Sequence, residues 1–498
     1  MRRRCAVIIM AWLTCTVGHG AGVAPPSAAG APAMYRGDGL TLRQALALAL
    51  ERHPELKAFA WHIRAAEARH LQAGLWPNPE LSLEVEGMRW RAGPESRTRT
   101  ARLGGPPERG LAGPLGEFEM EIEEGADSGL RESTFTLRLD QVIELGGKRA
   151  ERIRLAAGDV ETVRWDYEVA RARLLTEVGK AFVEALAAQE RLAIRRELAA
   201  LATEVRDSTA ARVEAGQIAA LELRKAEIER SSARIAVQRA ERDLEAARAR
   251  LASTWGDTEA AFGRVFGRLE APEPLSPLEV LKERTAGNPD LARWVSEVAR
   301  RRAAVGLEKA RRVPDLTVSL GLQAQPLRGH DVRSYGFGPE GPFFSRSRSS
   351  FEDGWDASLV LELSLPLPLF NRNQGSIRAA EHVATAAGEE RRAAEVTVLA
   401  ALTAWYHAAM AAYEAFGALD ADMLPNAART FELTQRGFRQ GKFSYLEVLD
   451  AQRTLFEVRT QLLEAQAEFQ QGVMEVERLL GESAQGREAD ISASKQEE

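Results

Sequence analysis

Leu359-Val-Leu-Glu-Leu-Ser-Leu365 alternates apolar and polar residues, the period of a strand with one apolar face. Soon after it, from about Gln374 to Gln440, the pattern becomes that of a long helix interrupted by Pro425. The same succession occurs earlier, where Leu81-Ser-Leu-Glu-Val-Glu86 and Phe135-Thr-Leu-Arg-Leu-Asp140 precede a helical pattern over about 148–215. A fourth alternating run is Leu316-Thr-Val-Ser-Leu-Gly321. Helices of this length reach on the order of 100 Å. Strands of membrane length followed by very long helices define the fold problem.

The two successions are copies of one another. Leu40-Thr-Leu-Arg-Gln-Ala-Leu46 leads to His53-Pro-Glu-Leu56, and Leu278-Glu-Val-Leu281 leads to Asn288-Pro-Asp-Leu291. Pro54 to Pro289 and Pro79 to Pro314 are both separations of 235, whereas Gly216 to Gly441 is 225, so an insertion or deletion lies between the matched blocks. The first repeat covers 40–265, with strands near 78–92 and 132–145, a long helix over 148–215 and a returning helix over 217–252. The second covers 275–482, with strands near 314–326 and 355–368, a long helix over 374–440 and a returning helix over 442–481. Within each strand pair sits a Gly/Pro/Arg-rich insertion, 93–131 or 327–354, which reads as loop.

The long helices carry coiled-coil seams. Leu174, Val178, Ala181, Ala185, Ala188 and Leu192 alternate four and three apart, as do Val398, Leu402, Trp405, Ala409, Ala412, Phe416, Leu419 and Met423. Leu449, Phe456 and Leu463 keep a seven-residue spacing on the last helix. Gly216 and Gly441 are placed to end the long helices, because positive φ is cheap only for glycine.

The chain's 498 residues carry 66 Lys+Arg against 72 Asp+Glu, a net charge of −6, with 45% hydrophobic and 28% charged residues. That balance excludes bulk disorder and a helical membrane protein, and a pI near 5.9 without a long basic run argues against nucleic acid as partner. Met1-Arg-Arg-Arg4, the apolar stretch Ala6–Leu13 and the small residues at 18–21 read as a signal peptide over 1–24. A flexible linker over 25–39 follows it, and a polar tail covers 483–498. Trp12 disfavours lipidation of Cys15, and Cys5 and Cys15 are the only cysteines. Removal of the leader therefore leaves no disulfide, thiolate nucleophile or Cys-ligated zinc. No segment approaches 18 consecutive apolar residues, so a transmembrane helix of the usual kind is not expected.

Four amphipathic strands are too few to close a barrel, and open sheet edges cannot face lipid. An exported chain of this kind points to a barrel shared between subunits, with Trp76, Trp90, Phe135, Trp355 and Phe370 suited to interfacial girdles. Further residues make the pattern familiar: Gln72-Ala-Gly-Leu-Trp-Pro-Asn-Pro79, Leu145-Gly-Gly-Lys-Arg149, Pro366-Leu-Pro-Leu-Phe-Asn-Arg-Asn-Gln374 and the two glycine turns. In this order and duplication, over nearly all of 40–482, the chain resembles the TolC-like outer-membrane factor family. It is most similar to that family's CzcC/CusC-type heavy-metal efflux branch. The resemblance implies a mainly α protein with transmembrane β: a homotrimer sharing a twelve-stranded outer-membrane barrel above long periplasmic coiled-coil helices. It further implies outer-membrane lipid around the barrel, a periplasmic adaptor, and an inner-membrane pump of the resistance-nodulation-division type.

The same resemblance supplies the candidate sites. Gly216 and Leu221, with Gly441 and Leu446, are the expected adaptor-docking tips. Glu447 and Asp450, three residues apart on the returning helix, match the family's acidic pore constriction, with glutamate in place of aspartate at 447. The alternative is helix N-terminal acids stabilised by the macrodipole. The first repeat has Glu222 and Lys225 at these offsets, an incomplete acidic pair. No catalytic motif, cofactor fingerprint or metal-ligand cluster is present: His53, His62 and His70 lack the i, i+4 spacing, and Glu121, Glu123 and Glu124 read as solvated loop charge. The cargo expected is heavy-metal cations. A drug or type I polypeptide-secretion channel is the alternative, and a secreted coiled-coil scaffold is a more distant one.

Overall fold

The computed structural model describes residues 39–87, 97–101, 118–122, 133–327, 331–338, 341–348 and 354–482. The expected signal peptide, nearly all of the linker, Trp90, Glu123, Glu124 and the C-terminal tail lie outside the described residues. The first repeat runs β1 (Leu40–Thr41), α1 (Leu42–Arg52), α2 (Pro54–Ala73), β2 (Glu80–Glu86), β3 (Arg97–Ala101), β4 (Phe118–Ile122), β5 (Thr134–Ile143), α3 (Lys148–Glu214) and α4 (Ala220–Ser253). The second runs β6 (Val265–Phe266), α5 (Leu278–Arg284), α6 (Pro289–Ala310), β7 (Leu316–Leu327), β8 (Asp331–Gly338), β9 (Gly341–Arg348), β10 (Gly354–Ser364), α7 (Gln374–Ala418), a π turn (Leu419–Met423), α8 (Leu424–Arg439) and α9 (Tyr445–Leu480).

The chain divides into two compact units. One comprises the described part of Met1–His53 with Leu174–Pro274 and Ala408–Met474. It holds α1, most of α3, α4, the end of α7, α8, most of α9 and the short parallel pair β1–β6. Val183 and Ala187 of α3 pack with Leu463 and Ala467 of α9, and Leu419 and Ala427 pack with Leu455, Val458 and Ala465. Four long helices end in the same way. The Gln217 N–H bonds to Arg212 O (2.8 Å) and that of Gly216 to Val213 O (2.9 Å), and the pattern repeats at Gly256, Gly441 and Gly481, all at positive φ.

The seam expected through Met423 is broken. Val398, Leu402, Ala409, Ala412 and Leu419 are buried, but Met423 is exposed and Ala427 takes the next buried place. The π turn is the cause: the Leu424 N–H bonds five residues back to Leu419 O, adding one residue and rotating everything after it by about 100°. Pro425, which has no N–H and whose ring clashes with a normal helical turn, follows directly.

The second unit comprises Pro54–Arg173, Leu275–His407 and the described part of Glu475–Glu498. Its main sheet is antiparallel, in the order β10-β7-β5-β2. The insertions read as loop contain strands, which pair as a second sheet β3-β4-β8-β9. β3–β4 and β8–β9 are local antiparallel pairs, but the central step joins the two repeats, Met120 opposite Ser334 and Glu121 opposite Arg333, residues some 200 apart in sequence. Local glycine and proline content carries no trace of such a partner. Beneath the main sheet, Gly158 of α3 lets α6 approach closely, since a Cβ there would lie 3.1 Å from that of Arg300. Arg300 bonds Asp159 on α3 at 3.0 Å and Glu297 on its own helix at 2.7 Å. Buried Glu297 is held near pKa 2, chiefly by that bond from Arg300 and also by Arg301.

Among the described residues one helical stretch, Gln374–Arg439, is by averaged composition long and apolar enough to cross a membrane. Its apolarity comes from Val396, Val398, Leu399 and Leu402 together with seven alanines up to Tyr413, and Val398, Leu402, Ala409 and Ala412 among them are buried seam positions, as in a coiled coil.

Candidate functional site: the strand face and the helix tips

Strand register turns alternation into a surface. Leu81, Leu139, Leu320 and Leu361 form one row across all four strands of the main sheet, and Leu83, Leu137, Leu322 and Leu359 form the next. All eight leucines are exposed, Leu81 at 69% and Leu359 at 72%. The reverse face is polar. There Arg138 donates to Asp140 (2.8 Å) and to Ser319 Oγ (3.0 Å) and pairs with Glu362 (3.0 Å). On the leucine face, Phe135 and Trp355 meet with ring centroids 5.9 Å apart and planes tilted by 50°. Among the described residues β2 and β10 each have one bonded neighbour, so the sheet ends in two open edges.

The four strand-to-helix junctions share the other structural devices, and the long sequence motifs fall on them. Lys148 Nζ and the Leu145 N–H both bond Asp315 (2.6 and 3.1 Å), joining the exit of β5 to the entry of β7. Arg149 lies over the Trp76 ring at 5.0 Å and donates to Gly74 O at 2.6 Å. Asn373, the one non-glycine at positive φ among the described residues, donates from its side chain to Glu308 O (2.9 Å) and Glu308 Oε2 (2.7 Å). Asn373 lies within the quoted Pro366–Gln374 motif and Asp315 within the Pro314-Asp-Leu316 echo of Pro79-Glu-Leu81, but the sequence pattern assigns neither a fastening role. Both are short polar residues beside proline- or glycine-rich steps, which is the available signal.

In the helical unit, Gly216 and Gly441 sit at φ 70° and 76° with open space where a Cβ would be. Leu221 and Leu446 are exposed on the first turns of α4 and α9. The tips are tied together: Arg212 lies 4.7 Å from the Phe438 ring centroid and donates to Phe438 O at 3.2 Å. Val205, Ala226, Phe438, Val448 and Leu449 form the core beneath them.

Glu447 and Asp450 come together, with Asp422, along a groove of about 540 Å³ between α8 and α9. Their carboxylates are differently employed. Glu447 Oε2 accepts from the Ser444 N–H (2.6 Å) and from Ser444 Oγ (2.8 Å), the reciprocal cap of a Ser-x-x-Glu start, and these bonds hold its pKa below the usual carboxylate value. The Asp450 carboxylate has no partner among the described residues. Ser444 is the residue that sequence reasoning passed over, although Ser444-x-x-Glu447 is the standard signature of such a cap. In the first repeat Glu222 is bound to Lys225 at 3.0 Å. Among the described residues no three His, Cys, Asp or Glu side chains are grouped to hold a metal ion.

A scan against protein families matches the outer membrane efflux protein family over residues 45–257 and again over 280–482. The cobalt-zinc-cadmium resistance protein CzcC of Cupriavidus metallidurans is 29% identical over 442 residues, 89% of this chain and 90% of that one. The pyoverdine export outer membrane protein OpmQ of Pseudomonas putida is 26% identical and covers 92% of each chain. Among solved structures, CusC superposes with a TM-score of 0.61 at 15% identity over 91% of this chain and 96% of its own. The outer-membrane channel OprN gives 0.63 at 18% identity over 88% and 89%. Matched twice along its length, the chain belongs to the outer membrane efflux protein family, and it is a passive outer-membrane channel with a periplasmic extension rather than an enzyme.

Proposed function

We propose that three copies of this chain assemble as a trimer whose main sheets close into one twelve-stranded barrel in the outer membrane. The observation that carries this is the sheet with leucine rows on one face, polar residues on the other and two open edges. Lipid tolerates the leucine face but not the edges, and edge-to-edge closure by copies satisfies both. Residues 1–24 act as the export signal, the insertions 93–131 and 327–354 face the cell exterior, and the long helices form a periplasmic duct. A periplasmic adaptor docks on the tips at Gly216, Leu221, Gly441 and Leu446 and couples the duct to a resistance-nodulation-division pump. Valine at Gly216 or Gly441 should abolish efflux while trimers persist; undiminished efflux would remove the docking role.

The cargo proposed is heavy-metal cations. CzcC supports this, and so does the polar face of the sheet, which carries Glu80, Glu84, Glu86, Asp140, Asp356 and Glu362 against Arg138. OpmQ supports the competing reading, export of an organic molecule. Deletion of the gene should lower tolerance to zinc, cobalt and cadmium and leave tolerance to hydrophobic antibiotics unchanged. The reverse pattern would favour the competing reading. At the tip, Asp450 rather than Glu447 supplies the acidic constriction, because the Glu447 carboxylate is engaged with Ser444. Asp450→Ala should weaken divalent-cation block in planar bilayers more than Glu447→Ala; equal effects would return Glu447 to the ring.

A further inference from the structure

The apolar face of β10 does not stop where its hydrogen bonds stop. The ladder ends at Ser364 opposite Thr317, yet Leu365 and Leu367 continue the spacing of Leu359, Leu361 and Leu363. Pro366 and Pro368 stand between the leucines, so this unpaired extension carries fewer N–H groups needing a partner. A tight turn from the Leu369 N–H to Leu367 O (2.9 Å) then presents Phe370, which is 91% exposed. Leu367 is 71% and Leu369 65% exposed. Leu367, Leu369 and Phe370 thus project with most of their surface uncovered, and Leu365 is about half exposed beside them.

Cations lie on the same edge of the sheet. Arg372 donates from Nε to Pro368 O (3.3 Å), which holds its guanidinium beside the ledge. The two bonds from Asn373 to Glu308 fasten this segment to the end of α6, one helical turn before Arg312. Arg312 is exposed, and neither Arg312 nor Arg372 has a carboxylate partner among the described residues. The opposite ends of these strands lead to the insertions, so this edge is the one that joins the helices.

We propose that Leu365–Phe370 with Arg312 and Arg372 is a docking ledge for anionic phospholipid of the periplasm-facing leaflet. The apolar side chains enter the acyl region and the two guanidiniums meet headgroup phosphates. Chemistry selects the occupant: a protein partner would cover the leucines but has no reason to continue the lipid face of β10, whereas a phospholipid matches both the apolar run and the unpaired cations. The inference rests on the membrane reading of the main sheet, and the test separates the two.

Full-length trimers would be mixed with vesicles of phosphatidylethanolamine, of phosphatidylethanolamine with phosphatidylglycerol, or of lipid A, and their insertion and bound lipid measured by flotation and native mass spectrometry. Insertion in every vesicle with preferential retention of phosphatidylglycerol is the expected result. Arg312→Gln with Arg372→Gln should still insert but lose that preference, by roughly fivefold per arginine. Phe370→Ser should weaken retention of both phospholipids without changing the preference. An Arg312→Gln/Arg372→Gln protein that inserts with its phosphatidylglycerol preference intact would overturn the ledge and leave the barrel standing. Preference for lipid A would also overturn it, by assigning the ledge to the other leaflet. Failure of the wild type to insert in any vesicle would instead sink the barrel.

Discussion

The two repeats make the same step into their second helix, at His53-Pro54 and at Asn288-Pro289, and they secure it differently. Asn288 is fully buried; its Oδ1 accepts from the Leu291 N–H (3.1 Å) and its Nδ2 donates to Leu479 O (2.9 Å). It therefore caps α6 and satisfies a carbonyl near the end of α9 with one side chain. His53 Nδ1, at the equivalent position, is buried without a hydrogen-bond partner among the described residues. The pseudo-symmetry is one of path, not of fastening. A duplicated chain needs each element twice, but each fastening only where the load falls.

The largest effect expected from this asymmetry is at Asn288. Asn288→Ala removes a cap and strands a buried carbonyl, a loss of about 2–3 kcal/mol in denaturant titration. His53→Ala should cost well under half of that, and His53→Asn should stabilise by about 1 kcal/mol if the second repeat's cap can be transplanted. Equal losses for the two alanine variants would mean that the repeats are fastened alike.

The tips repeat the lesson on a smaller scale. Both long helices end on a glycine with the same pair of backbone bonds, but α9 starts on the Ser444/Glu447 cap whereas α4 starts on Ala219, which has no side-chain acceptor. Phe443 also folds back over Gly437, so close that a Cβ there would lie 2.1 Å from the ring. Ser444→Ala should destabilise the second tip by about 1 kcal/mol, and Ala219→Ser should stabilise the first by a similar or smaller amount. Backbone hydrogen exchange in the first turns of α4 and α9 would show both changes. No change at either would mean that tertiary packing alone fixes the tips.

What the sequence made legible is the path: period-2 strands, period-3.5 helices and glycine stops are local patterns with local causes. The register beyond Leu419 was not legible, because it depends on how the helix accommodates Pro425, and a single added residue exchanges Met423 for Ala427 in the seam. The second sheet was not legible either, since the pairing of Met120 with Ser334 is decided across the repeats. The leucine rows were half visible: alternation marks one face of each strand, and only register aligns Leu81 with Leu139, Leu320 and Leu361. Ser444-x-x-Glu447 is legible as a capping box, a local pattern that the pore role and the helix-dipole role of Glu447 both leave out.

The smallest effect expected concerns that glutamate, and it has a definite sign. Ser444 bonds the ionised Glu447 carboxylate, so the folded-state pKa lies below its ordinary value of 4.5. A carboxylate depressed in this way contributes its stabilisation in full above the unfolded value, and loses it as pH falls through the folded value. Acidification below about 4.5 should therefore loosen the start of α9, as the bonds from Ser444 to the ionised carboxylate are lost. The Ser444 amide reports this directly, because it donates to Glu447 Oε2. Its exchange protection, corrected for the intrinsic pH dependence of exchange, should fall in the wild type over the range of pH below about 4.5. Glu447→Gln keeps an acceptor without a titrating charge, so its protection should stay level across that range. A level profile in the wild type would mean that Ser444 does not hold the carboxylate in solution. Glu447 would then be available to the acidic ring, and the division of labour with Asp450 would fall.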